Sequence, residues 1–536
     1  MKWRQLQHNG VALPPPYEPK GLSIRIRGEM IRLTSEQEEM AYAFAKKKDT
    51  QYVKDPVFLL NFLTDFLRLF PEQYRDARME DIDFSEVYAY VDREKEVKSL
   101  MDKETKKKLA NERKRLREHL KSIYGYAILD GERYEVANWV VEPPGIFMGR
   151  GEHPLRGRWK PRVEASDVIL NLGEDAPVPE ANWKAIVHDH DSIWLAKWID
   201  KLTGKEKYVW LADSSRIRQE RDKAKYDTAM RLAKQIGKVI ARVEREMKAR
   251  DEKRRKVATV CYLIYRLAMR VGDEKDADEA DTVGASTLRV EHIRFNSNGN
   301  GKSIEFDFLG KDSVRWQKSI TVENAMDEVA YSNLEEFIAD KKEGEEIFAG
   351  ITSRHVNKFL SSIMDGLTAK AFRTYLATDV VKDYLLSVDG KINGEEEGDY
   401  IKIYHAKMAN LQAAITCNHK KAVPKNFEES LRKKEERIKE LMGKEVKTKK
   451  QEERLKERIE KLRLQIELAK QCRDYNLATS LRNYIDPRLF YAWCRYVGID
   501  WASIYTASLQ RKFQWVKHSN ARWDAMLKAY GKNDKS

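Results

Sequence analysis

The chain has 536 residues, 42% of them hydrophobic and 35% charged, with 100 Lys plus Arg against 86 Asp plus Glu and a formal charge of +14. That length exceeds one ordinary core and that apolar content excludes a disordered chain, so several folded domains are expected, with a polyanion as a candidate partner. The four cysteines (Cys261, Cys417, Cys472, Cys494) form no CxxC pair or Cys/His ligand spacing, and no apolar run suits a signal peptide or a membrane span, so a soluble protein in a reducing setting is expected.

Residues 1–213 open with Pro14, Pro15, Pro16 and Pro19, continue in helical patterns between about 35 and 122, and end in a β-like stretch over about 137–211. Trp139, Trp159, Trp183, Trp194, Trp198 and Trp210 fall in that stretch and read as core anchors. From 214 the pattern turns helical. Val257, Val260, Cys261, Ile264, Leu267, Ala268 and Val271 recur at helical spacing, with Arg270 in the last turn and Gly272 at the site of a left-handed cap.

A three-strand meander is expected over Arg289–Phe295, Ser303–Leu309 and Ser313–Val322. Gly299-Asn300-Gly301-Lys302-Ser303 has the end of a phosphate-loop motif, but Asn296 stands where its first glycine must be, so it reads as a hairpin turn and implies no ATP. The second turn, Gly310-Lys311-Asp312-Ser313, puts a lysine at a loop tip. Residues 426–471 are nearly continuous charge. Leu431, Ile438 and Leu441, then Leu455, Ile459, Leu462 and Ile466, recur at helical steps around a break at Gly443–Lys447, which predicts an antiparallel two-helix hairpin projecting into solvent. Residues 472–536 read as helical and aromatic, with Tyr484 near the start.

Breaking a phosphodiester requires fixed cations for the non-bridging oxygens, a proton for the leaving alkoxide and a nucleophile. Arginine suits the first task, since its planar fork stays charged and matches two phosphate oxygens. Arg270 and Arg373 are such candidates, and Lys370, three residues before Arg373 on one helix face, is expected to converge with it on one phosphate. His419 offers a further donor, and Tyr484 a nucleophile. Taken singly, each also fits a structural role in a salt bridge or core.

In combination these segments resemble the type IB DNA topoisomerases, closest to the eukaryotic nuclear enzyme. The matching stretches run in the family's order: Pro15-Pro16-Tyr17-Glu18-Pro19, Gly149-Arg150-Gly151-Glu152-His153-Pro154, Ser214-Ser215-Arg216-Ile217, and Leu267-Ala268-Met269-Arg270-Val271-Gly272. Further on come Glu305 to Ser313, Gly366 to Lys370 with Phe372-Arg373-Thr374-Tyr375, Cys417-Asn418-His419, and Asn483-Tyr484 with Asp486-Pro487-Arg488.

The resemblance implies an α+β multidomain fold. It expects a mixed N-terminal DNA clamp at 1–213, a mainly helical catalytic domain with a small three-stranded sheet at 214–425, an antiparallel coiled-coil linker at 426–471, and a small helical C-terminal domain at 472–536. By similarity Tyr484 forms a 3′-phosphotyrosyl link, and Arg270, Arg373 and His419 hold non-bridging oxygens. Lys311 is the general acid for the 5′ oxygen, and Lys370 assists at the phosphate. Arg150, Asp312 and Asn483 match positions that contact camptothecin-type inhibitors, while Met148 replaces a basic residue usual in the nuclear enzymes.

Double-stranded DNA is the implied partner of a monomer, with no cofactor and no metal. The acidic run Asp276, Asp278, Glu279 and Asp281 resembles a family loop that is not catalytic. The missing long charged N-terminal tail suggests an archaeal-type, nucleoid-associated member of the cytoplasm, or a nuclear one in a eukaryote. Two alternatives remain. A tyrosine recombinase would usually carry His at the Lys370 position, and a non-enzymatic architectural DNA-binding protein would not need Tyr484.

Overall fold

The computed structural model describes residues 2–272, 282–298, 301–392 and 398–531; the acidic run lies outside them. The chain divides into two compact units, one reaching to Arg218 and the other built largely from Gln219 onward.

In the first unit, β1 (Leu6–His8) pairs with β5 (Tyr126–Leu129), and β5 with β6 (Glu132–Glu135). A second sheet places β2 (Ser23–Ile26) between β3 (Glu29–Arg32) and β4 (Ile82–Asp83). β7 (Gly145–Ile146) pairs with β8 (Trp159–Lys160). β9 (Ile169–Asn171), β10 (Ala185–Val187), β11 (Trp194–Ile199) and β12 (Glu206–Trp210) form a sheet in the order β10-β9-β11-β12. Trp139, Trp194 and Trp198 are buried as expected, whereas Trp159, Trp183 and Trp210 are half-buried.

The helical stretch resolves into α1 (Ser35–Ala45), α2 (Pro56–Leu67), α3 (Ser85–Leu100) and α4 (Lys103–Tyr124). α2 starts where its sequence dictates: Asp55 accepts from the Val57 and Phe58 N–H groups, and Pro56 sits in the first turn. Phe44, Phe62, Phe66 and Phe84 close the core between these helices, with the Phe44 and Phe62 rings stacked at 4.2 Å. The Pro-rich entry is tied to α1 by Glu38, which accepts from Tyr17 Oη and the Leu22 N–H, each at 2.8 Å.

The second unit takes in α5 (Arg216–Met247) from Gln219 onward and then α6 (Glu252–Leu267). The expected meander is present as β13 (Ile293–Asn298), β14 (Gly301–Gly310) and β15 (Val314–Thr321), with Ile304, Phe306 and Phe308 turned into the core. Its first strand starts later than expected. Arg289 donates its N–H to His292 Nδ1 at 3.0 Å, and that local bond holds Val290–His292 in a 3₁₀ turn instead of a strand.

α7 (Ala325–Ile338), α8 (Ser353–Ile363), α9 (Ala369–Ser387), α10 (Asp389–Ile392) and α11 (Asp399–Thr416) follow. α9 is the central helix, packed by α6, α8 and α11, so even Thr374 and Thr378 on it are buried. The charged stretch forms α12 (Phe427–Met442) and α13 (Lys449–Gln471). They run antiparallel, with the Arg473 guanidinium 5.8 Å from the Phe427 ring and Lys470 3.4 Å from Glu435. The hairpin is not wholly free in solvent, because Tyr400 and Tyr404 of α11 donate to Glu460 and Glu467 of α13 at 2.9 and 2.8 Å.

The chain ends in α14 (Leu477–Asn483), α15 (Pro487–Val497), α16 (Ala507–Lys512) and α17 (Trp523–Tyr530). Asp486 organises this end. It caps α15 through the Arg488 N–H, pairs with the Arg488 guanidinium at 2.8 Å, and accepts from Tyr530 Oη at 2.9 Å, all while fully buried. Replacing Asp486 with Ala leaves a buried guanidinium short of its main partner. The expected cost is about 3 kcal/mol, read as a lowered denaturant midpoint for the second unit.

Candidate active site

Arg270 does not ride on a helix end as its spacing predicts. α6 stops at Leu267, Ala268 takes the left-handed conformation at φ 52°, and Arg270 follows outside any helix or strand. The reason is tertiary pairing: Ala285 N–H donates to Arg270 O at 2.8 Å, and Ser286 N–H to Val271 O at 2.6 Å. Gly272 and Gly284 make this approach possible, since a Cβ on Gly284 would lie 2.4 Å from Gly272 Cα.

His419 emerges in the same way. α11 ends at Thr416, Asn418 turns left-handed at φ 52°, and the His419 N–H returns to Ala414 O at 2.8 Å. Asparagine is among the few side chains that accept this conformation readily. Arg373 comes from the first turns of α9.

Three of these side chains meet at Tyr484. Arg270 Nη1 donates to Tyr484 Oη at 3.1 Å and Arg373 Nη1 donates to it at 3.0 Å. The His419 ring lies 4.9 Å from the Tyr484 ring, and Arg373 Nη2 donates to Cys417 O at 2.8 Å. Arg270, Arg373 and His419 also line a polar cleft of about 130 Å³, with Lys311 on its wall. Lys311 is exposed at the turn between β14 and β15, as the loop-tip reading expects. The guanidinium groups thus touch both the cleft and the phenol.

Lys370 lies one turn earlier on α9 and is exposed, off the cleft wall, whereas Arg373 is buried. Asn483 ends α14, where its carbonyl accepts from Lys225 Nζ at 3.3 Å. Arg150 is exposed in the first unit, and Met148 packs against that unit's phenylalanine core. The side chain of Asp312 lies outside the described residues.

Ser480 went unnoticed in the sequence. It is fully buried, with Oγ 2.7 Å from His419 Nδ1, and so fixes the imidazole; its one signal is a position one helical turn before Tyr484. The site is also independent of the charged hairpin in its backbone. Lys421 N–H donates to Asp474 O at 2.8 Å and Asn476 N–H to His419 O at 2.7 Å, which closes the excursion at its base.

The electrostatics follow from burial. Burial first, and then Arg373, hold the Arg270 guanidinium below its usual range, with Tyr484 opposing. Burial, then Arg373 and Arg270, push the His419 imidazole down to about 3. His419 is therefore a neutral hydrogen-bonding group at working pH, beside two fixed cations.

Three family models cover the chain. That of the eukaryotic DNA topoisomerase I catalytic core matches residues 214–466, that of its DNA binding fragment residues 1–211, and that of the C-terminal topoisomerase domain residues 456–525. The chain belongs to the type IB DNA topoisomerases, in the eukaryotic topoisomerase I family. It is 38% identical to DNA topoisomerase 1 of Caenorhabditis elegans over 96% of this chain and 67% of that protein. To DNA topoisomerase 1 of Homo sapiens it is 35% identical over 96% and 71%, and to mitochondrial DNA topoisomerase I of Rattus norvegicus 34% over 96% and 91%. It spans about half, 54%, of the Drosophila melanogaster relative.

The depressed imidazole has a sign that can be checked. Below about pH 6.5 the unfolded chain protonates this histidine while the fold does not. The unfolded state then binds more protons, so this group's contribution to stability falls as pH drops from about 6.5 toward 3 and is unaffected above that window. The ¹⁵N shifts of the His419 ring are expected to stay constant between about pH 8 and pH 5; a titration midpoint inside that window would refute the assignment.

Proposed function

We propose that the protein relaxes supercoiled duplex DNA by transient single-strand cleavage, without ATP. The observation that supports this best is the pair of arginine N–H donors on Tyr484 Oη, which sets the nucleophilic oxygen beside the cations a phosphate needs. Tyr484 Oη attacks a backbone phosphorus, the Oη–P bond forms and the P–O5′ bond breaks. Lys311 delivers the proton to O5′, and the phenolic proton passes to solvent. Arg270 and Arg373 hold the non-bridging oxygens, and neutral His419 donates a further hydrogen bond. Lys370 assists from the exposed side of α9. The phosphotyrosyl ester conserves the energy of the broken bond, so religation is the reverse reaction.

The first unit is the clamp, whose contacts go mainly to phosphates and give weak sequence preference. In this reading Arg150, Asn483 and Asp312 are, by family resemblance, positions that contact camptothecin-type inhibitors, and the protein acts as a monomer. It works wherever duplex DNA is kept, in the nucleus of a eukaryote or the nucleoid of an archaeon. The relatives named above are eukaryotic. No described helix is long and apolar enough to cross a membrane.

Plasmid relaxation in EDTA without ATP tests the reaction. The parent is expected to relax DNA and to leave covalent protein–DNA adducts on denaturation. Tyr484→Phe should lose at least about 1000-fold in rate and trap no adduct, because no other group supplies the nucleophile. Equal relaxation by both proteins would sink the proposal.

The closed base of the hairpin gives a second expectation. Removing the outer turns of α12 and α13 should change strand rotation or religation while single-turnover cleavage stays within about threefold of the parent. Loss of cleavage with the fold intact would contradict it.

A further inference from the structure

The inward face of β15 reads Val314, Trp316, Lys318, Ile320. A lysine breaks that apolar series where strand periodicity calls for another core residue. Its Nζ donates to Thr416 O at 2.6 Å and to Leu267 O at 3.1 Å. These are the last residues of α11 and α6. Carbonyls at helix ends lack intrahelical donors and carry the negative end of the helix dipole, so one ammonium satisfies two helix termini together.

Three residues beyond each of these carbonyls stands a member of the site. Arg270 follows Leu267 and His419 follows Thr416, each by way of a left-handed residue, Ala268 or Asn418. We propose that Lys318 is a positioning residue: by joining the ends of α6 and α11 it sets the spacing of Arg270 and His419 across the phosphate site. This rests on the roles given above to Arg270 and His419.

The placement is costly enough to need a function. Burial pushes the Lys318 ammonium down to about 8, with Arg373 acting in the same direction and Cys417 against it. A further cation near Arg373 is tolerated because two dipole ends face it, with the Trp316 ring 5.6 Å away. A residue serving only core packing would be apolar here.

The test separates chemistry from binding. Lys318→Met keeps the stem and removes Nζ. In single-turnover cleavage of a short duplex its rate constant should fall about 30-fold, as expected for displaced catalytic groups, while the dissociation constant for that duplex stays within about twofold. Lys318→Arg, which can still donate to both carbonyls, should recover at least about a third of the parental rate.

Three results overturn the proposal: parental cleavage by Lys318→Met, a parallel loss of binding and cleavage, or a Lys318→Arg protein as slow as Lys318→Met. Tyr484→Phe is the control. If that variant still cleaves, the phosphotyrosyl reading has failed; if it does not, the outcome bears on Lys318 alone.

Discussion

The second unit is organised around a repulsion. Arg270 and Arg373 bring two guanidinium groups to one phenol oxygen, and among the described residues no carboxylate lies within ion-pair reach of either. Like charges in a half-buried site disfavour each other, and burial adds a desolvation cost. What offsets this is neutral: the Cys417 carbonyl on Arg373, the phenol oxygen on both, and the carbonyl ends of α6 and α11 nearby. Such an arrangement stores attraction for an anion, which is the requirement of a phosphoryl-transfer site.

Arg488, four residues after Tyr484, shows the contrast. Burial also works against its charge, yet Asp486 outweighs burial and holds the guanidinium above its usual range. Arg488 is compensated and structural; Arg270, without a carboxylate partner among the described residues, is held below its range. The compensated pair serves the uncompensated one. Asp486 anchors the peptide just beyond Tyr484, its N–H donating to Thr378 Oγ1 of α9 at 3.0 Å. Arg373 lies on the same helix, so Tyr484 and this cation share one rigid support.

The parts of this site legible in the sequence are those set by local pattern or family motif. The meander follows from alternation, and the helices of the charged hairpin follow from their apolar steps. The end of α6 does not, because Ala268 adopts a left-handed conformation only under the pairing of Arg270 and Val271 with Ala285 and Ser286. Neither does the difference in burial between Lys370 and Arg373. An offset of three residues puts both near one helix face, but the boundary between core and solvent falls between them. Lys318 was in principle readable as the polar residue on an apolar strand face, though its two carbonyl partners were not.

The position of Tyr484, far along the chain from Arg270, Arg373 and His419, resolves at the base of the hairpin. A long excursion costs entropy to close, but that cost grows slowly with length and is met here by the bonds joining Lys421 to Asp474 and Asn476 to His419. From Asn476 the chain needs only α14 to reach Tyr484, and Ser480 within that helix returns to His419. Asn410 Nδ2 of α11 also donates to Leu477 O at 3.1 Å at the start of the same helix. The distance between Tyr484 and His419 is therefore set by one short helix with three local ties. Apart from the contacts of Glu460 and Glu467 with α11, the long arms beyond the base take no part in these ties.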